Sequence, residues 1–154
     1  MRKVALVPES QFASDLATEI RTTLGKLKRR MREQGGRDDL TPSQISVLLR
    51  LEKEGAVTVS GLARAEGMRP QSMSSIVTPL QNAGLVSSSS DPKDGRQTLM
   101  SLSKKCEKLL RESRAAKQDW LTTAILEKLS ALERQKLSAA LGLLNRITDD
   151  KPLS

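Results

Sequence analysis

The chain has 154 residues, of which 26 are Lys or Arg and 18 are Asp or Glu, so it carries a net charge of +8. This length suits one domain with its own hydrophobic core, and the excess of basic residues suits an anionic partner. Histidine is absent and Cys106 is the only cysteine, which argues against the usual zinc sites, histidine-based triads and an intramolecular disulfide. No apolar run approaches the ~18 residues of a membrane span. We therefore expect a cytoplasmic protein that needs no cofactor.

A long amphipathic helix is predicted from Ser10 to about Gly35, after a flexible arm of residues 1–9; the chain ends in a polar tail, residues 149–154. Apolar residues recur along this helix at steps of three and four, the pattern of one helix face. They are Phe12, Leu16, Ile20, Leu24, Leu27 and Met31. The opposite face is basic, and a charged run of this kind is more often a solvated surface than a binding surface. Its basic residues are Lys26, Lys28, Arg29, Arg30 and Arg32.

A second helix is predicted to begin at Thr41-Pro42-Ser43-Gln44. A threonine cap, a proline at the first helical position and a glutamine three residues after the cap form a capping box. The apolar side is assigned to Ile45, Leu48, Leu49 and Leu51. Gly55 ends this helix, and Val57 and Val59 beyond it are predicted to form a short strand that pairs with the hairpin described below.

Two short helices joined by a tight turn come next. Ser60 can cap the first, whose Leu62 and Ala63 face inward, and Gly67 ends it. Pro70 suits the first position of the second helix, because the first helical N–H has no intrahelical partner.

The second of these helices has one apolar and one polar face. Met73, Ile76, Val77 and Leu80 form the apolar face. The polar face carries Gln71, Ser72, Ser74, Ser75 and Thr78. No acidic residue occurs between Arg69 and Asp91. Short hydroxyls and an amide on such a face can approach DNA base edges and phosphates without repelling them.

A two-stranded hairpin, the wing, is predicted after Gly84. Leu85-Val86 starts its first strand, Asp91-Pro92-Lys93-Asp94-Gly95 is a turn sequence, and the second strand runs from Arg96 to Leu102. Residues 40–103 are thus interpreted as a winged helix-turn-helix that binds DNA. The alternative is a small helical domain whose helix-turn-helix only packs.

Two further helices are predicted after the wing, capped by Ser103 and Ser130, with Glu133 completing a second capping box. The last helix has an apolar stripe of its own, formed by Leu137, Ala140, Leu141, Leu144 and Ile147. A winged core is too small to cover this stripe and that of the first helix. We therefore expect residues 10–37 and 104–148 to form a helical dimerisation region, giving a mainly α protein with a small β-wing. A monomeric intramolecular bundle is the alternative.

The order of these elements resembles the MarR family of bacterial transcription regulators, over residues from about 12 to 148. The most specific match is the wing, where Asp94, Arg96 and a strand ending in Leu102-Ser103 fit the family's pattern. Further matches are Leu62-Ala63, Gly84-Leu85-Val86 and Arg69-Pro70-Gln71-Ser72.

This resemblance implies a homodimeric repressor that binds an inverted-repeat DNA operator and is released by a small-molecule effector. The helix of residues 70–83 would enter the major groove, and Arg96 would enter the adjacent minor groove, whose negative potential attracts a guanidinium. The family's wing aspartate, here Asp94, orients that arginine; the alternative is a turn-stabilising contact with no role in DNA binding. The predicted DNA-binding residues are Arg69, Gln71, Ser72, Ser74, Ser75, Thr78, Lys93, Asp94 and Arg96.

Two features depart from the family pattern. Ser87 to Ser90 are four serines where family members often carry basic residues, which weakens the wing's attraction for DNA. Pro79 lies late in the recognition helix and is expected to bend its last turn.

Phe12 and Trp120 are the only aromatic residues, so no pocket for an aromatic ligand is visible, and Trp120 is interpreted as core. Cys106 is interpreted as a small buried residue rather than a reactive thiol.

Two other classes of function stay open. One is a winged helix that contacts proteins, or that binds DNA as an architectural protein without sequence preference. The other is an enzyme, because Ser101 and Lys104 match a Ser-x-x-Lys nucleophile pattern. That pattern lies at the end of a strand rather than at the start of a helix in a large domain, so we do not expect an enzyme.

Overall fold

The computed structural model describes residues 7–36 and 39–149, so most of the predicted arm and tail lies outside the described residues. Within these residues the chain forms six helices and three strands. They are α1 (Glu9–Gln34), α2 (Pro42–Glu54), β1 (Val57–Thr58), α3 (Val59–Ala65), α4 (Pro70–Asn82), β2 (Val86–Ser90), β3 (Thr98–Leu102), α5 (Lys104–Lys128) and α6 (Ala131–Thr148). The prediction of a mainly α fold with a small β-wing is confirmed.

Side-chain caps fix where several helices begin. Thr41 accepts a hydrogen bond from the Gln44 backbone at 3.2 Å, and the Gln44 side chain accepts one from the Thr41 backbone at 2.9 Å. Ser130 and Glu133 form the same reciprocal pair, as predicted. Each box satisfies two N–H groups that a helix end leaves without intrahelical partners.

The predicted cap of α3 was wrong. Thr58, not Ser60, caps this helix: its hydroxyl accepts a hydrogen bond from the Gly61 backbone at 3.0 Å. The helix begins at Val59, so Ser60 is already inside its first turn. The physical reason is that Val57 and Thr58 pair with the wing, which places the end of the strand directly before the helix.

The three strands form one antiparallel sheet in the order β1-β3-β2. Val57 lies opposite Met100 and Val86 lies opposite Leu102, so the wing is tied to the segment that precedes the helix-turn-helix. The predicted pairing of Val57 is correct, whereas Val59 belongs to α3. The returning strand begins at Thr98 rather than Arg96, because a turn continues to Gln97.

The core lies inside the winged helix-turn-helix. Its buried residues are Val47, Leu48, Leu51, Leu62, Ala63, Met73, Val77, Leu80, Leu85, Val86, Met100 and Cys106. Cys106 is buried, in agreement with its interpretation as a packing residue. The predicted apolar side of α2 needs a correction: Val47 is buried while Leu49 is 45% exposed. Leu49 projects instead toward a cavity between α2 and α5.

The helices outside the winged region contain fewer buried side chains than those inside it. Neither α1 nor α6 contains a buried residue. Trp120 of α5 is half-buried and lies 5.7 Å from the Arg30 guanidinium of α1, which is compatible with a cation–π contact. Within residues 7–36 and 39–149, none of the helices has the length and hydrophobicity of a transmembrane segment.

Ser103 joins the wing to α5 through two hydrogen bonds. Its hydroxyl donates to the Gly84 carbonyl at 2.6 Å and accepts from the Cys106 backbone at 3.1 Å. Replacing Ser103 with alanine should lower the free energy of unfolding by about 1–2 kcal/mol, because both bonds are lost. Urea denaturation measures this, and Ser103→Thr, which keeps a hydroxyl, is the control. Equal stability of Ser103→Ala and the wild type would contradict the assigned role.

Candidate nucleic-acid interface

The helix α4 places its apolar side in the core and its polar side in solvent. Met73, Val77 and Leu80 are buried and Ile76 is half-buried, while Pro70 occupies the first helical position. The predicted polar residues of this segment are all exposed, namely Arg69, Gln71, Ser72, Ser74, Ser75 and Thr78. The burial pattern therefore presents the predicted recognition face outward on a helix whose other face is fixed by packing.

Most polar groups of this face are available for an external partner. Among the described residues, the side chains of Gln71, Ser72, Ser74 and Thr78 form no hydrogen bond within the chain. Ser75 differs, because its hydroxyl donates to the Gln71 carbonyl at 3.1 Å. Ser75 can thus only accept further hydrogen bonds while this contact persists.

Pro79 lies inside α4, as predicted, and the helix continues past it to Asn82. The exposed residues of the first two turns precede this proline, so their spacing on the helix face is regular.

The turn before α4 is held by a cluster that the sequence did not indicate. Arg50 of α2 donates to the Glu66 carboxylate at 2.8 Å, and the Ser46 hydroxyl donates to the same carboxylate at 3.1 Å. The hydrogen bond from Arg50 lowers the pKa of Glu66, and the bond from Ser46 acts in the same direction against partial desolvation. Gly67 follows with a φ of +65°, which glycine adopts without strain. These contacts hold the start of the turn against α2.

The wing turn is stabilised by its two aspartates. Asp91 accepts a hydrogen bond from the Lys93 backbone at 2.9 Å, and Asp94 accepts one from the Arg96 backbone at 3.1 Å. Among the described residues no ion pair joins the Asp94 carboxylate to the Arg96 guanidinium. Asp94 therefore makes a turn-stabilising contact, and its predicted role in orienting the Arg96 side chain stays a prediction.

The wing presents little net charge. Lys93, Asp94 and Arg96 are exposed, and the serines of β2 are exposed as well. Because the two aspartates offset the two cations, the wing attracts DNA weakly at long range. Arg96 supplies the guanidinium of this turn, and its side chain is exposed.

A cavity of about 130 Å³ lies between the end of α1, α2 and the first half of α5. Its apolar lining consists of Leu40, Ile45, Leu48, Leu49, Leu85, Cys106, Leu109 and Leu110. Arg32, Arg114 and Lys117 also line it. Arg114 forms a bidentate ion pair with Glu52, which lowers the pKa of that carboxyl. In the part of the chain that the structure describes, no group of His, Cys, Asp or Glu could hold a metal ion.

The chain is 34% identical over 144 residues to the HTH-type transcriptional regulator Mb0904 of Mycobacterium bovis, a match that covers 94% of this chain and 97% of that protein. The sequence model named MarR family matches residues 40–98, which include α2, the helix-turn-helix and most of the wing. The chain belongs to the MarR family.

Other relatives agree with the MarR assignment. The crystal structure of a transcriptional regulator protein from Pseudomonas aeruginosa superposes with a TM-score of 0.72 at 32% identity, over 90% of this chain and 98% of that chain. The HTH-type transcriptional repressor MdtR of Bacillus subtilis is 27% identical over 92 residues, which are 60% of this chain and 59% of MdtR.

This MarR protein is a DNA-binding transcriptional regulator with a winged helix-turn-helix. The names of the relatives are those of transcriptional regulators. Of the two residues of the Ser-x-x-Lys pattern, Ser101 is half-buried on β3 and Lys104 is exposed at the start of α5.

Proposed function

We propose that the protein is a homodimeric repressor that recognises an inverted-repeat operator through α4 and the wing. Residues 40–103 form its DNA-binding domain, and residues 10–37 and 104–148 form its dimerisation region. The observation that carries this proposal is the exposed face of α4, which is polar, free of acidic residues and largely without internal hydrogen bonds. Such a face gains partners only when another molecule supplies them.

The groove assignments follow from shape and charge. A single helix fits the major groove, about 12 Å wide, where Gln71 and the hydroxyls of Ser72 and Ser74 can bond to base edges. Arg69 at the start of the helix and Lys93 in the wing suit phosphate contacts. Arg96 suits the narrow minor groove. Ser75 and Thr78 complete the contact set, and Asp94 acts by fixing the turn that carries Arg96.

Two copies are needed to cover the outer apolar helices. Large apolar residues that are at least 40% exposed in α1, α5 and α6 are Phe12, Leu16, Leu24, Leu126, Leu132, Leu137, Leu141, Leu143 and Ile147. An exposed apolar surface of this extent is typical of an interface rather than of a monomer. A two-fold dimer would place two copies of α4 against half-sites about one helical turn apart.

Repression and its release are supported by two observations. The relative MdtR is named a repressor, and a protein that occupies operator DNA blocks transcription when the operator overlaps a promoter. The cavity beside α5 could hold a small effector with an apolar body and an anionic group, because Arg32 and Lys117 line it together with leucines. Since the proposed target is chromosomal DNA, the protein would act in the cytoplasm. We assign it no enzymatic activity and no cofactor.

The operator can be identified by incubating purified protein with genomic fragments at physiological salt and sequencing the retained DNA. Enrichment of one or a few inverted repeats, bound ~1,000-fold more tightly than unrelated DNA, is the expected result. Retention of fragments that share no sequence would favour an architectural protein or a winged helix used for protein contacts.

Replacing Arg96 with alanine should weaken binding to that operator by about 1–3 kcal/mol, because the minor-groove contact is lost. The side chain is exposed, so the fold should be unchanged. Fluorescence anisotropy of a labelled operator measures the affinity, and Arg96→Lys is the matched control for charge. Unchanged operator affinity in a folded Arg96→Ala protein would reject the minor-groove role.

A further inference from the structure

One face of α1 is strongly basic and lies outside the winged helix-turn-helix. We define the α1 basic face as Arg21, Lys26, Lys28, Arg29 and Arg32, all of which are exposed. No acidic residue occurs between Glu19 and Glu33 in the sequence. Residues 11–37 contain seven basic and three acidic residues, against eight and five in the longer segment 40–105. A large share of the positive charge of the protein is thus placed away from α4 and the wing.

The fold does not use these five cations. Among the described residues none of them forms an ion pair or a side-chain hydrogen bond. Arg30, which lies between them in sequence, is different, because it pairs with Glu33 at 3.4 Å and lies over the Trp120 ring. Like charges at neighbouring positions of a helix destabilise it. The α1 basic face therefore opposes folding unless an anion binds to it.

A glycine lies at the centre of this face. A side chain at Gly25 would meet no atom within 4 Å, so packing does not require glycine here. Glycine is unfavourable in a helix interior, and its backbone here has an ordinary helical conformation. Its effect is to leave a shallow depression surrounded by the cationic side chains.

Most of this face is turned away from the rest of the chain, and only Arg32 at its end also lines the cavity beside α5. The half-buried residues Ile20, Leu27 and Met31 mark the side of α1 that packs inward, and the basic residues lie on the opposite side. A second copy cannot cover this face with its own α1 basic face, because the cations would repel one another. In the proposed dimer the two α1 basic faces therefore do not pack against each other.

We propose that the α1 basic face binds the phosphate backbone of double-stranded DNA, as a second contact surface in addition to α4 and the wing. From Arg21 to Arg32 the face spans about 16 Å, and a duplex presents one phosphate per about 1.7 Å of its axis. Arginine side chains suit phosphate oxygens in two-bond contacts.

Other polyanions fit this face less well. A protein partner would require an apolar centre in the contact surface, and only Thr22 and Gly25 separate the cations. A membrane-surface helix inserts the apolar side opposite its cations into the bilayer, whereas Ile20, Leu27 and Met31 on that side of α1 are half-buried against the rest of the chain.

The first test compares two variants that lose the same charge. The test variant neutralises three cations of the face and is Lys26→Gln/Lys28→Gln/Arg29→Gln. The control variant neutralises three exposed lysines on other helices and is Lys53→Gln/Lys108→Gln/Lys136→Gln. The probes are the operator and an unrelated 30-base-pair duplex. The first variant should bind both duplexes at least about tenfold more weakly at 0.1 M salt, and should lower the slope of log K against log salt by about 2–3. Equal behaviour of the two variants on both duplexes overturns the proposal.

The second test uses Gly25, where substitution should not disturb the fold. Gly25→Glu introduces a carboxylate among the cations, and Gly25→Gln is its neutral control of the same shape. Gly25→Glu should bind both duplexes about tenfold more weakly than Gly25→Gln, with unchanged preference for the operator, because phosphate contacts act equally on all sequences. If the proposed recognition of the operator is wrong, the protein shows no higher affinity for the operator than for the unrelated duplex. The affinity of Arg96→Ala for the operator tests that proposal separately. A Gly25→Glu effect seen only on phosphatidylglycerol vesicles, and not on either duplex, overturns the proposal in favour of a membrane surface.

Discussion

Replacing Leu141 with aspartate should convert the protein from a dimer to a monomer and abolish tight operator binding. Leu141 is 50% exposed on α6, within the apolar stripe that the proposed dimer covers. A carboxylate buried in such a contact without a partner costs several kcal/mol. Once the two copies separate, operator affinity should fall about 100-fold or more, because the two half-sites are no longer bound together.

Sedimentation velocity and anisotropy on the operator measure the two effects. Gln135→Asp is the matched control, since it introduces the same charge on the opposite side of α6 at an exposed position. The control should remain dimeric and bind normally. A Leu141→Asp protein that sediments as a dimer would remove this part of α6 from the interface.

Replacing Met73 with alanine should lower the free energy of unfolding by about 2–5 kcal/mol, because a fully buried side chain of α4 is removed and a cavity remains. The neighbouring substitution Ser74→Ala provides the control. Ser74 is exposed and forms no internal hydrogen bond among the described residues, so its loss should leave stability within about 0.5 kcal/mol of the wild type.

Met73→Ala and Ser74→Ala should also differ in their affinity for the operator. At a temperature where Met73→Ala is folded, its polar face is complete and its operator affinity should be close to that of the wild type. Ser74→Ala should weaken operator binding while leaving urea denaturation unchanged. If Ser74→Ala binds the operator normally, Ser74 makes no contact with DNA that contributes to affinity.

Local features of the fold could be predicted from the sequence because they act over a few residues. The capping boxes at Thr41 and Ser130 each require only four residues, and both are present. Thr58 was missed as a cap because the start of α3 depends on strand pairing with Leu99, a residue far along the chain. Similarly, the periodicity of α2 could not separate Val47 from Leu49, since the direction of the core is set by the other elements that pack on this helix.

The candidate site could likewise be predicted only where it depends on residues close together in the sequence. The polar face of α4 follows from its own periodicity, and the structure places it outward. The Arg50–Glu66 contact joins α2 to the residue that follows α3, 16 positions further along the chain, and no sequence pattern indicates it. The contact between Asp94 and the Arg96 backbone depends on turn geometry, which residue types alone do not determine.

Because β3 connects directly to α5, a tilt of that helix about its far end would move the wing. Ser103 alone separates them, and it is bonded to the Gly84 carbonyl at the end of the recognition unit. With 25 residues, α5 is about 37 Å long. If a partner copy holds its far end, a tilt of about 5° moves the wing by about 3 Å, close to the ~3.4 Å rise of one base pair. A small rotation of α5 would thus displace the wing by a distance comparable to one base-pair step.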